Sequence, residues 1–344
     1  MPIARRTING RAVNPIGLGC MSLSWAYGTP PAEDEAARLL HRALDLGYDN
    51  LDTARLYGLG HNETLIGKTL SGRRKEFFLA SKTGIIADGP NRGLDSRPGT
   101  IREQLEISLR LLQTDHIDLY YLHRLDPKVP IEDSVGALAE CVAQGKIGAI
   151  GLSEMSAATL RRAAAVHPIA AMQSEYSLMT RNPDIAVLDA CRELGTTFVA
   201  FGTVGRGVMV DNLPDLAALP RRDIRAAMPR YTGQNWQRNH ELVTAFQAIA
   251  AREGVTAAQL ANAWVLGRGD HVVAIPGTSK IAHLEENIAR WDWEVPPSVS
   301  AEIDTLINRD TVAGERYSPV MQQTIDTELF EGERESIEGW KPEA

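Results

Sequence analysis

Polar and apolar residues follow one another along the chain in a recurring phrase: an amphipathic helical stretch, a glycine, then a short apolar run ending in a polar residue. In "ARLLHRALDLGYDNLDT", Ala36, Leu39, Leu40, Ala43 and Leu44 fall at helical spacing, Gly47 follows as a helix stop, and the apolar run ends at Asp52. "AECVAQGKIGAIGLS" repeats the phrase through Gly145 to Ser153, and "DACRELGTTFVAFG" repeats it through Gly195 to Phe201. Helix starts are marked as well: Thr100 with Glu103, and Thr256 with Gln259, have the spacing of capping boxes.

The apolar runs are "PIGLGC", "NLDT", "FFLASKT", "IDLYYLH", "AIGLS", "AAMQS", "TFVAFG" and "VVAIP", most of them separated by a helical pattern. Such alternation predicts an α/β fold, a (β/α)8 TIM barrel, because parallel strands need crossovers and apolar strands need cover on both faces. A doubly wound sheet is the alternative, and no Gly-x-Gly-x-x-Gly follows the first strand to support it. Residues 1–344 read as a single barrel domain, with its core at about 15–290 and a C-terminal extension over 291–344. "RTINGRAV" predicts an N-terminal β-hairpin turning at Asn9-Gly10 and covering the barrel's N-terminal end. Residues 203–239, after strand seven, read as a loop too long to be merely structural and therefore as a binding element. The acidic end, from about Thr324, is expected to be partly disordered.

Composition narrows this picture without redirecting it. With 44% hydrophobic and 23% charged residues, the chain has the balance of an ordinary globular protein. No apolar run is long enough to cross a bilayer, and "MPIARRTINGRAV" lacks a secretory apolar stretch, so a cytoplasmic location is expected. Cys20, Cys141 and Cys191 are odd in number and far apart, which indicates neither a disulfide framework nor a Cys-x-x-Cys metal site. A net charge of -8 without a Lys/Arg cluster argues against a nucleic-acid partner. The sequence leaves the oligomeric state open.

In a barrel of this kind the C-terminal strand ends carry the chemistry. Here they present Asp52, Lys82, His123, Ser153 and Gln173 on successive strands, with Tyr57 just beyond Asp52. Singly, each has a plain structural explanation as a turn cap, a surface lysine or a packed histidine. Together they make coherent chemistry. An ammonium about 4 Å from a phenol favours the phenolate by ~4 kcal/mol at an effective dielectric of ~20, or about three pKa units. Burial opposes that, so a smaller net fall is expected for Tyr57, with Asp52 holding Lys82 charged and in place. His123, if neutral, can donate a hydrogen bond to a carbonyl oxygen. The set suits a carbon that receives hydride while its oxygen receives a proton. A metal-dependent hydrolase lacks a clustered ligand set, since His116 and His123 would lie on opposite faces of a strand.

The motifs "GLGCM", "LDTARLYG", "NETLIGKTL", "LASKTG", "IDLYYLH", "GLSE", "QSEYSLMTR", "GRG" and "IPGTSKIAHLEEN" run in order over residues 17–287 and resemble those of the aldo-keto reductase family, in its potassium-channel β-subunit-like and pyridoxal-reductase-like branch. The resemblance implies a catalytic tetrad at Asp52, Tyr57, Lys82 and His123. It implies NADPH bound extended on the barrel, with Ser153 and Gln173 at the nicotinamide carboxamide and Phe201 stacked under the ring. The pyrophosphate would lie along Gly202, Gly205 and Arg206, where "FGTVGRG" departs from the usual "YSPLGRG". Gly277, Thr278 and Lys280 would hold the 2'-phosphate, and Glu286 and Asn287 the adenine. His283 stands where many relatives have arginine, and Glu154 where many have asparagine. Trp25 and Tyr27 are candidate walls of a pocket for a small carbonyl substrate, and no metal site is expected. The same resemblance keeps open an NADPH-binding regulatory or redox-sensing subunit with slow turnover. Tyr317 lies in the C-terminal extension, which either folds over the pocket or trails into solvent.

Overall fold

The computed structural model describes residues 3–88 and 91–333. Its centre is an eight-stranded parallel sheet: β1 (Leu18–Gly19), β2 (Asn50–Asp52), β3 (Phe78–Thr83), β4 (Leu119–Leu122), β5 (Ile150–Ser153), β6 (Ile169–Glu175), β7 (Thr197–Phe201) and β8 (Val272–Ala274), paired in chain order. The sheet closes on itself. Gly17 N donates to Ala274 O at 2.8 Å, Ala274 N donates to Pro15 O at 2.8 Å, and Gly19 bridges Gly277. Closure brings two backbones so near that a Cβ on Gly19 would lie 2.8 Å from Ile275 O, and one on Gly277 2.9 Å from Gly19 O. Glycine at both places is what lets the first and last strands meet.

Helices α1 (Glu33–Asp45), α2 (His61–Leu70), α3 (Pro98–Leu111), α4 (Ile131–Ala143), α5 (Ala157–Ala164), α6 (Val187–Leu194), α7 (Gly233–Arg252), α8 (Ala257–Leu266), α9 (Ile281–Ile288) and α10 (Pro297–Leu306) lie outside the sheet. The predicted TIM barrel is therefore the fold. In α1 the expected apolar positions Ala36, Leu39, Leu40, Ala43 and Leu44 are the buried ones, and Gly47 follows the helix at φ +94°.

Period-two alternation decides what points into the barrel. Phe78 and Ala80 of β3, Leu119 and Tyr121 of β4, Ala171 of β6, and Val199 of β7 form an interior cluster. Tyr120 and Leu122 face the outer layer instead. Gly151 belongs to the inward series of β5, where a Cβ would come within 2.3 Å of the Tyr121 ring. The N-terminal hairpin, Arg6–Ile8 with Arg11–Val13, turns at Asn9 (φ 47°) and Gly10 (φ 77°), the mirror-image two-residue turn that matches strand twist. Ile8 and Val13 join the interior cluster, and Asn9 Nδ2 donates to Gly148 O, so the hairpin plugs the N-terminal end as expected.

Three local expectations require correction, and a fourth is tested only in part. Thr256 and Gln259 do form the reciprocal capping box of α8, but Thr100 lies inside α3, which starts at Pro98, and its Oγ1 donates to Asp95 Oδ2 at 2.8 Å. A second hairpin, Ile85–Asp88 with Asn91–Leu94, follows β3 where the sequence predicts none. Helix α7 begins at Gly233, inside the expected 203–239 loop; its first turns are polar, and its buried apolar series starts only near Val243. Of the acidic end, expected to be partly disordered, 324–333 is docked. Asp326 Oδ2 accepts from Ser156 N at 3.1 Å and Thr159 Oγ1 at 2.7 Å, and Glu328 accepts from Ala157 N at 2.7 Å at the start of α5. Residues 334–344 lie outside the described residues.

Candidate active site

The alternation that fills the barrel also positions its rim. Continuing the inward series by one more step gives Lys82 after Phe78 and Ala80, His123 after Leu119 and Tyr121, and Gln173 after Ala171. Asp52 closes β2, paired with Ala80 and Gly19. Tyr57 follows in a short turn, with its ring packed among Ala54, Leu56 and Trp25.

Lys82 is the hub. Its fully buried Nζ donates to Asp52 Oδ1, to Thr53 O at 2.9 Å and to Tyr57 OH at 3.3 Å. Gln173 Nε2 donates to the other Asp52 oxygen at 2.7 Å, so the carboxylate is held from both sides. The His123 and Tyr57 rings meet edge to face with centroids 6.0 Å apart. The structure thus brings all four tetrad residues together. Burial is the largest influence on Lys82 and pulls its pKa down, but Asp52 and Tyr57 more than offset it, leaving the ammonium above its ordinary value. Burial also pushes Asp52 upward against Lys82 and Gln173.

Tyr57 behaves differently from expectation. Burial raises its phenol above the ordinary tyrosine value; Lys82 pulls the other way, and Asp52 adds to the rise. The sequence argument weighed the ammonium above desolvation, and the closed environment reverses that balance. The phenol holds its proton.

A cavity of about 830 Å³ runs from this tetrad across β7 and β8 to α9. Ser153, Gln173, Phe201, Gly202, Gly277, Thr278, Lys280, Glu286 and Asn287 line it, as do Trp25, packed beside Tyr57, and Tyr27. Lys280 and His283 are exposed at the α9 end, where Lys280 N donates to Thr278 Oγ1 at 3.0 Å. An elongated slot with polar side chains at one end and glycine-lined passage and cations at the other fits an extended dinucleotide. Two candidates depart from the expected role. Gly205 does not line the cavity: at φ +57° it turns the chain, and a Cβ there would meet Met209 at 2.8 Å. Arg206 lines it, but its guanidinium is committed to Glu175, donating from Nε at 3.1 Å and also from Nη2.

That commitment belongs to a buried network which sequence reasoning missed. Arg206 also donates to Tyr27 OH at 3.1 Å and Tyr317 OH at 2.6 Å. Arg316, in the C-terminal extension, donates to Glu175 Oε2 and Glu154 Oε1, each at 2.7 Å. Tyr317, Met321 and Thr324 line the cavity, so the extension folds over the pocket. Arg124 was missed too. It lines the cavity, with Nη1 donating to His123 O at 2.6 Å and Ser153 Oγ at 3.3 Å. Its place directly after His123 at a strand end was the available signal. Among the described residues there is no cluster of metal ligands and no helix long and apolar enough to cross a membrane.

Fold, tetrad and slot together define a barrel oxidoreductase of the aldo-keto reductase class, and the chain belongs to the Aldo/keto reductase family, whose model matches residues 15–308. The aldo-keto reductase yakc, NADP(+), of Schizosaccharomyces pombe is 42% identical over 327 residues, covering 93% of this chain and 96% of its own. A glycerol dehydrogenase from Gluconobacter oxydans superposes with a TM-score of 0.82 at 27% identity, over 92% of this chain and 99% of its own. An aldo/keto reductase from Klebsiella pneumoniae, solved with NADP and acetate, has a TM-score of 0.68 at 26% identity, over 92% and 99%.

Proposed function

We propose that the protein is an NADP-dependent oxidoreductase that reduces an aldehyde or ketone to an alcohol, with Tyr57 as the proton donor. The observation that carries this reading is the single lysine Nζ shared among Asp52, the Thr53 carbonyl and the Tyr57 hydroxyl on the floor of the slot. Bound NADPH supplies the hydride from its nicotinamide C4 to the carbonyl carbon.

The chain's own residues do the rest. Tyr57 enters the reaction protonated and gives its proton to the carbonyl oxygen as charge builds there. Lys82, 3.3 Å from that hydroxyl, stabilises the phenolate left behind. Asp52 keeps the ammonium aimed, and Gln173 keeps Asp52 in position. His123, edge-on to Tyr57, orients the carbonyl oxygen. Ser153 and Gln173 hold the carboxamide and Phe201 supports the ring, while Lys280 with the first turn of α9 takes the 2'-phosphate. Glu286 and Asn287 take the adenine, and Gly202 with Val204 and Gly207, which line the cavity on either side of Gly205, passes the pyrophosphate. Trp25 and Tyr27 wall the substrate end.

The test is NADPH oxidation followed at the nicotinamide absorbance with neutral aromatic aldehydes, for the wild type and Tyr57→Phe. Loss of a general acid lowers kcat by about 10²–10⁴-fold. A Tyr57→Phe protein with near-normal kcat refutes the proton role, and NADPH binding without turnover by the wild type moves the reading to a redox-sensing subunit.

A further inference from the structure

The catalytic end of the slot contains several ionic side chains, and among the described residues all but one of them are matched. Asp52 is paired with Lys82. Arg206 is paired with Glu175, and Arg225 with Asp223 at 2.8 Å. Arg124 is the exception. Its hydrogen bonds among the described residues run from Nη1 alone, to His123 O and Ser153 Oγ, both neutral acceptors, and it forms no ion pair with any described carboxylate. Nε and Nη2 are left without a described partner, on a half-buried guanidinium in the cavity wall. The two bonds it makes fix the group between the histidine that faces the carbonyl and the serine proposed for the carboxamide. Arg124 is close enough to Tyr57 to act on the phenol's charge.

A planar guanidinium whose Nε–Nη2 edge has no partner among the described residues, held in a partly desolvated wall, is the natural partner of a carboxylate. The same cavity is lined by apolar side chains, among them Trp25, Leu56 and Ile85, which pack beside Tyr57. On a chain of net charge -8, a positive spot inside the slot also concentrates anions where the surface as a whole repels them. We infer that Arg124 is a specificity-determining residue that pairs with a negatively charged substituent near the reacting carbonyl, so that the preferred substrates are anionic carbonyl compounds, keto or formyl acids. This rests on the reductase reading above. It concerns which carbonyl compound is chosen, and it leaves the proton and hydride chemistry as described.

The experiment measures kcat/KM for two matched pairs, phenylglyoxylate with its methyl ester and p-carboxybenzaldehyde with its methyl ester, in the wild type, Arg124→Met and Arg124→Lys. The readout is the acid-to-ester ratio, in which a general loss of rate from disturbed packing cancels. In Arg124→Met the ratio should fall about tenfold for at least one pair, the value for one charge-assisted contact discounted for partial exposure, and Arg124→Lys should recover part of it. A ratio that changes less than about twofold for both pairs overturns the inference. If no compound is turned over by the wild type, the reductase reading fails, and Arg124 is still decided by binding. Benzoate, titrated calorimetrically into the NADP(+)-loaded protein, should bind about tenfold more weakly to Arg124→Met, and equal affinity overturns the inference.

Discussion

Replacing Arg316 by methionine keeps most of the side chain's length and removes its charge. The guanidinium is 3% exposed and joins Glu154 and Glu175, themselves 0% and 1% exposed. Glu175 retains Arg206 after the change, but Glu154 loses the one ion pair it makes among the described residues while staying buried, and of its described side-chain bonds keeps the Glu175 backbone N–H at 2.8 Å. Breaking a buried pair in this way costs about 3–5 kcal/mol. The pH dependence follows from the sign of the shift. In the variant Glu154 stays buried without Arg316, and Glu175 keeps only Arg206 of its two arginines. In the wild type, Glu175 is pushed upward by burial but held well below the ordinary glutamate range by Arg206 and Arg316, so its contribution is present above about 4.3 and lost as pH falls. Urea unfolding at about pH 8, where the Glu175 contribution is full, and at about pH 3, where it is fading, measures the cost on both sides of that range. The Met variant should lose about 3–5 kcal/mol at the higher pH and less at the lower, with residues 317–333 becoming a preferred site for limited proteolysis. A loss below about 1 kcal/mol at the higher pH, or a cost that grows on acidification, refutes the argument.

Two further predictions follow from the geometry. Gly277→Ala puts a Cβ 2.9 Å from Gly19 O at the barrel's closing seam, so it should destabilise by about 1–3 kcal/mol and weaken NADPH binding, read from urea midpoints and cofactor titration. Because burial raises Tyr57, the wild-type minus Tyr57→Phe difference in tyrosinate absorbance should show no ionisation of this phenol below about pH 10 in the cofactor-free protein; ionisation near neutrality refutes the protonated resting state.

The sequence reveals what obeys a period. Inward and outward alternation locates the strands, and the polar residue that ends each apolar run is the next member of the inward series, which is why Asp52, Lys82, His123, Ser153 and Gln173 could be found together. The Asn9-Gly10 turn is equally local. What escapes has no period. Arg316 lies 141 residues from Glu175 and 162 from Glu154, and nothing near any of them announces the pairing. The sign of the Tyr57 shift was lost for a related reason, since desolvation depends on what the rest of the chain places over the phenol. The polar opening turns of α7 hide a helix because their burial partners, such as Tyr231 beside Trp236, lie outside the helix itself.

The Arg316 contacts also bear on how the protein is made. Strand β8 ends at Ala274, so a growing chain has every barrel strand before it has Arg316. Until that residue is added, Glu175 can already pair with Arg206, but Glu154 lacks the arginine it pairs with in the finished fold. A chain ending before Arg316 would carry every barrel strand but would lack both the cation that joins Glu154 to Glu175 and the Tyr317, Met321 and Thr324 side chains that line the cavity, so the last stretch to be made is the one that completes the roof.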